Sequence, residues 1–149
     1  MVIRPATEAD IPGILEMARE FVGESGYGYT FDPERSEWLV RVYLADPFHA
    51  FMVADVDGQI AGAWVAVVAY EWTVEPMCYV VKWYMRRPYR GQGLGHALFG
   101  ALTDWADTAG VMDTFVTSTA EIGQTGAFTG LCESHGFVRL GPTLVRRKQ

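Results

Sequence analysis

Long apolar runs are missing from this chain. The longest, from Ile60 to Tyr70, falls far short of the roughly 20 residues needed to cross a membrane as a helix. Cysteine is scarce as well: Cys78 and Cys132 give neither a metal-ligand spacing nor a disulfide framework. The opening Met1-Val2-Ile3-Arg4-Pro5 lacks the apolar stretch of a signal peptide. Basic residues are in deficit, 12 Lys and Arg against 18 Asp and Glu, for a formal net charge of −6. A general nucleic-acid binder would need the opposite, a basic face to neutralise phosphates. No internal repeat or low-complexity tract interrupts the chain. These absences predict a soluble, cytoplasmic protein with neither membrane nor nucleic acid among its partners.

What is present fits one ordinary domain over residues 1–149. Half of the 149 residues are hydrophobic and 20% are charged, which is globular rather than disordered composition. Aromatic residues make up 13%, five of them Trp, enough for a filled interior or an aromatic-lined pocket.

Periodicity sets out the elements. Val2-Ile3-Arg4 reads as a short strand broken by Pro5, and Thr7 as a capping hydroxyl before an acidic first turn. Ile11, Ile14, Leu15, Ala18, Phe21 and Val22 recur at helical spacing. The loop from Gly23 to Pro33 carries Tyr27, Tyr29 and Phe31. A second helix follows with Trp38, Leu39, Val42 and Tyr43 expected on one face, ended by Asp46-Pro47. Ala50–Val56 and Gln59–Ala69 are strand-like runs joined by Asp57-Gly58, a strong hairpin signal. Met77–Met85 is a third run, and Pro88 cannot continue a sheet interior. A helix with Leu94, Ala97, Leu98, Ala101, Leu102 and Trp105 on one face should stop at Gly110. Val111–Thr117 reads as a strand, Gly126–His135 as a short helix, and Phe137–Leu140 with Leu144–Arg147 as a closing hairpin. The class is α+β, with antiparallel hairpins and one βαβ-like passage.

Between the third run and its helix lies Arg90-Gly91-Gln92-Gly93-Leu94-Gly95. Strand, Gly-rich loop and helix form a phosphate-binding arrangement. The first N–H groups of a helix have no partner within it, and the macrodipole favours an anion there by about 0.3–1 kcal/mol per contact when exposed. Glycines let the backbone approach without a Cβ in the way. A P-loop would continue Gly-Lys-Ser/Thr, but Gly95 precedes His96-Ala97; a dinucleotide fingerprint would need a third glycine where His96 stands. Lys82, Arg86, Arg87 and Arg90 cluster around the loop, a local basic patch suited to a small anionic ligand, or else a solvated charge cluster.

Arg90-x-x-Gly93-x-Gly95 resembles the acyl-CoA signature of the GNAT (Gcn5-related N-acetyltransferase) superfamily. Ile3 through Asp10 looks like that family's opening strand and first helix, and Leu131-Cys132-Glu133-Ser134-His135-Gly136-Phe137 is similar to its late Leu-Tyr-x-x-x-Gly-Phe segment. The resemblance covers nearly the whole chain. It implies a mixed, mostly antiparallel sheet of six to seven strands flanked by about four helices, splayed between the strands at 77–85 and 111–117. It implies acetyl-CoA as co-substrate, no metal, a small-molecule or peptide amine as acceptor, and allows a homodimer. The implied cofactor-binding residues are Tyr84, Met85, Arg86, Arg90, Gly91, Gln92, Gly93, Leu94, Gly95 and His96. Tyr27 and Tyr29 would line the acceptor side.

The expected catalytic residues depart from the pattern. Cys132 stands where a Tyr proton donor is usual, and could donate or simply pack in the core. The strand before the loop holds no acidic residue, so Glu71, Glu75 and Glu121 become the candidates for a base acting through water. His49, His96 and His135 are too dispersed to argue a metal cluster, and Ser118 and Thr119 show no Ser-His-Asp order. Two readings of function follow: direct transfer of an acetyl group to a primary amine, or a GNAT-fold module that binds acyl-CoA or a protein without turnover.

Overall fold

The computed structural model describes residues 1–117 and 126–141. Its centre is a five-stranded sheet in the order β1 (Val2–Pro5), β2 (His49–Val56), β3 (Gln59–Ala69), β4 (Met77–Met85), β5 (Asp113–Val116). The first four strands run antiparallel and β5 joins β4 in parallel. The helices are α1 (Ile11–Glu24), α2 (Pro33–Ala45), α3 (Leu94–Ala109) and α4 (Ala127–Ser134). The expected mostly antiparallel α+β architecture is present, with five strands among the described residues rather than six or seven.

Local chemistry accounts for most boundaries. Asp57 and Gly58 take φ of 51° and 81°, the left-handed pair of a two-residue hairpin turn, and Asp55 Oδ1 accepts the Gly58 N–H at 2.8 Å. Asp32 caps α2 by accepting the Arg35 N–H at 3.0 Å. Gly110, at φ 67°, ends α3.

Four expectations need correction. Thr7 does not cap an α-helix: its hydroxyl donates to Asp10 at 2.9 Å across a 3₁₀ turn (Glu8–Asp10), and α1 begins at Ile11. Trp38 and Val42 face outward from α2, at 63% and 36% exposure, because the buried stripe runs through Val40, Tyr43 and Leu44. On α3, Ala97 is exposed and Phe99 is buried in its stead. Phe137–Leu140 is not a strand: the Phe137 N–H is taken by the Cys132 carbonyl at 3.1 Å, and Val138 and Leu140 are exposed. Its expected partner Leu144–Arg147 lies outside the described residues.

The sheet separates two cores. One, beneath α1 and α2, gathers Ile14, Val40, Phe51, Val53, Val65 and Tyr84. The other, beneath α3 and α4, gathers Trp64, Leu98, Phe99, Leu102, Met85 and Cys132. Burying Leu98, Phe99 and Leu102 contributes about 1.5–3 kcal/mol each. The Trp64 indole N–H donates to the Leu98 carbonyl at 3.1 Å and so locks α3 onto β3. Gly62 is required where β3 meets β4, since a Cβ there would stand 2.9 Å from the Tyr84 carbonyl oxygen.

A candidate active site where the sheet splays

β4 and β5 are partners only from Met77–Asp113 to Val80–Val116. At that point β4 also carries a bulge: Val65 pairs with Lys82 and Ala66 with Val80, so Val81 is the extra residue. A bulge bends its strand and re-aims the side chains beyond it. Past Val81 the edge of β4 leaves β5 and a cleft opens.

A cavity of about 500 Å³ occupies this opening. α1 and α2 wall one side with Met17, Phe21, Leu39 and Tyr43; Val80 to Met85 form its floor; Val116, Thr117 and Phe128 close the far side. Tyr27 and Tyr29, expected on the acceptor side, line it with ring centroids 5.6 Å apart.

The Gly-rich loop stands at the exit of β4. Gly91 and Gly93 have φ of 75° and 77°, and a Cβ on either would meet nothing within 4 Å, so a space lies open beside them. Gly93 is the residue before α3, whose first turn has Leu94, Gly95 and His96. Among the described residues, the N–H groups of Gly91 through His96 donate to no protein acceptor. These are the conditions for an anion at a helix N-terminus. Gln92 donates to the Pro88 carbonyl at 2.9 Å, which braces the loop.

The arginines of the basic patch are already engaged. Arg86, only 12% exposed, bonds Glu20 at 2.6 Å and Glu16 at 3.0 Å. Arg87 pairs with Glu24 at 2.9 Å. Arg90 pairs with Glu24 at 2.7 Å, donates to the Met85 carbonyl at 2.8 Å and covers the Tyr84 ring. Glu16, Glu20 and Glu24 form one i, i+4 row on α1. Lys82 has no ion pair among the described residues.

Glu24 is the residue that the sequence did not single out. It also accepts the Tyr84 hydroxyl at 2.9 Å. Burial works to raise its carboxyl, but the bonds from Arg90 and Tyr84 and the charges of Arg90 and Arg87 prevail and hold it below the ordinary value. Burial, with the bond to Glu24, raises the Tyr84 phenol well above its usual range. A second missed feature is Trp83, on the cavity wall, whose buried indole N–H has no acceptor among the described residues.

The catalytic candidates are scattered. Cys132 lies in the α3–α4 core, its thiol pushed up to about 11 by burial, and is not on the cavity wall. Glu71 is near Tyr79, toward the end of β4 remote from the loop, and helps burial raise that phenol. Glu75 is exposed in the same connection. Glu121, Ser118 and Thr119 lie outside the described residues. Among the described residues no group of His, Cys, Asp and Glu gathers to hold a metal, and no helix is long and apolar enough to cross a membrane.

Comparison with known proteins puts this geometry in context. The family model described as "Acetyltransferase (GNAT) family" matches residues 14–137. Phosphinothricin N-acetyltransferase of Streptomyces viridochromogenes is 31% identical over 103 residues, 65% of this chain. That match spans 54%, about half, of the relative's length. Two solved structures share the fold at low identity. The aminoglycoside 6'-N-acetyltransferase AAC(6')-IG of Acinetobacter haemolyticus aligns with a TM-score of 0.77 at 18% identity, covering 100% of this chain and 99% of its own. The aminoglycoside N-acetyltransferase AAC(6')-Iy, solved in complex with CoA, aligns at 0.79 and 14% identity, covering 99% and 94%.

Proposed function

The chain belongs to the acetyltransferase (GNAT) family, and we propose that it moves an acetyl group from acetyl-CoA to a primary amine of a small molecule or peptide. The observation that carries this reading is the nearness of two features: a loop at the start of α3 whose N–H groups have no acceptor among the described residues, and a cavity in the splay that meets this loop at Arg90. The open space beside Gly91 and Gly93 and the unclaimed N–H of Trp83 fit a bound acyl-CoA. Bound there, acetyl-CoA supplies the thioester.

The chain's own residues then have distinct tasks. Amides from Gly91 to His96 hold the pyrophosphate through hydrogen bonds and the α3 dipole. The edge of β4 that β5 has vacated, at Tyr84 and Met85, offers backbone groups to the pantetheine arm and to the carbonyl oxygen as charge gathers on it. Arg86 and Arg90 shape this edge through their pairs with α1. Tyr27 and Tyr29 wall the acceptor side. In the transfer the amine nitrogen bonds the acetyl carbon as the carbon–sulfur bond breaks; the amine loses a proton to water, and CoA leaves as the thiolate, which then takes a proton from solvent. A thiolate leaves readily, so a buried Cys132 need not serve as the acid. The relatives' names, phosphinothricin and aminoglycoside N-acetyltransferases, support a small-molecule acceptor.

The test is release of free CoA thiol from acetyl-CoA across an amine panel. Amine-dependent release supports the reading. Saturable acetyl-CoA binding with no release above background would instead favour the binding module.

A further inference from the structure

We infer that the acceptor is an amine carrying an anionic group, of the amino-acid type, and that Lys82 is the residue that holds this group; the inference rests on the acetyltransferase reading above. Val80 packs against the α3–α4 core, and regular alternation would send Lys82, two residues on, to that same face. The extra residue Val81 reverses the alternation. Tyr84 accordingly belongs to the α1–α2 core, Trp83 and Met85 to the opposite one, and Lys82 shares the face of Tyr84. The bulge thus turns a lysine into the cavity on the side of Tyr27 and Tyr29.

Charge on the cavity wall is one-sided. Among its described lining residues only Lys82 and Arg90 are charged, and none is Asp or Glu. Arg90 is neutralised by Glu24, whereas Lys82 has no ion pair among the described residues. The remaining wall is apolar and aromatic, with hydroxyls from Ser25, Ser36 and Thr117. A polycationic acceptor would meet, among the described lining residues, an unpaired positive charge and no carboxylate, which disfavours it. An amine bearing one carboxylate or similar anion, on a small apolar body, meets an ammonium partner instead.

Lys82 is not well placed to serve the cofactor's phosphates. α3, with the loop at its head, packs on one face of the sheet, and Lys82 points to the other.

The experiment compares amino acids with their decarboxylated amines, pairs that differ only in the anionic group, alongside a polyamine. CoA release is measured with the wild type, Lys82→Met and Lys82→Glu. The wild type should use the amino-acid partner with a kcat/KM about tenfold or more above its decarboxylated match, chiefly through KM. Lys82→Met should erase that ratio while acetyl-CoA affinity stays within about twofold, and Lys82→Glu should invert it in favour of the cationic amines. Equal use of both partners by the wild type, or a ratio that survives Lys82→Met, would overturn the inference while leaving acetyl transfer intact. Release from no amine at all would overturn the transfer reading and this inference with it. Circular dichroism and acetyl-CoA titration of each variant separate misfolding from lost recognition, and Lys82→Arg should keep the preference.

Discussion

Arg90 and Glu24, 66 residues apart in the chain, meet at 2.7 Å and tie the Gly-rich loop to the end of α1. The same carboxylate accepts the Tyr84 hydroxyl, so one half-buried acid fixes the loop and the floor of the cavity together. Removing it takes from Arg90 and Arg87 the carboxylate that both pair with. We expect Glu24→Gln to raise the KM for acetyl-CoA about fivefold, on the scale of one well-placed ion pair. The carboxyl is held below its ordinary value, so its stabilisation is present above pH 4.5 and is lost as pH falls through the lowered folded value. Thermal melts of wild type and Glu24→Gln should therefore differ at neutral pH and converge in acid. A constant gap down to pH 2 would contradict the assignment.

Asp10 supports a second pH prediction. It is 8% exposed, receives two bonds of 2.8 Å from Arg4 and accepts from the Thr7 N–H and hydroxyl. The Arg4 bonds, against burial, lower its carboxyl from 3.8 to about 2. That shift corresponds to about 2 kcal/mol of stability at neutral pH, lost as pH falls from about 4 to about 2. Asp10→Asn should destabilise the protein by a comparable amount in urea unfolding at pH 7, and by little at pH 2.

Cys132 should matter for packing rather than for turnover. It sits among Trp64, Leu98 and Phe99, off the cavity wall. Cys132→Ala is expected to lower kcat less than tenfold while costing about 1 kcal/mol in stability. A loss of several hundredfold in a folded variant would show that the thiol takes part in transfer.

Short-range signals in the sequence were reliable. Asp57-Gly58, the span of β4 and the Gly110 stop rest on backbone preferences of one or two residues, and they stand as read. The outward face of α2 was not legible, since Leu39, Val40 and Tyr43 define one apolar stripe and Trp38 with Val42 another; only the sheet beneath decides between them. The bulge at Val81 is a property of two paired strands, so no pattern in β4 alone discloses that Lys82 has changed face. Glu24 went unnoticed because its partners Tyr84 and Arg90 lie 60 and 66 residues away. The place of the Gly-rich loop, between β4 and α3, was legible because its residues are contiguous, from Arg90 to Gly95.

Trp83 offers an independent handle on the cleft. Its indole N–H is buried without an acceptor among the described residues, and the ring packs between Phe99 and Phe128. Trp83→Phe keeps an aromatic ring and removes the donor. If a bound acyl-CoA carbonyl takes that bond, affinity should fall about three- to tenfold with little change in unfolding midpoint. Unchanged affinity would return Trp83 to a packing role.

Calorimetric titration with acetyl-CoA of the wild type, Gly93→Asn and Gly93→Asp tests the loop as the cofactor site most directly. Asn tolerates the left-handed φ of 77° at this position and adds no charge, while Asp sets a carboxylate beside the phosphates. The wild type should bind saturably, Gly93→Asn should lose part of its affinity, and Gly93→Asp should lose about a hundredfold while its unfolding midpoint stays near that of Gly93→Asn. A folded Gly93→Asp variant that binds acetyl-CoA as tightly as the wild type would contradict the assignment.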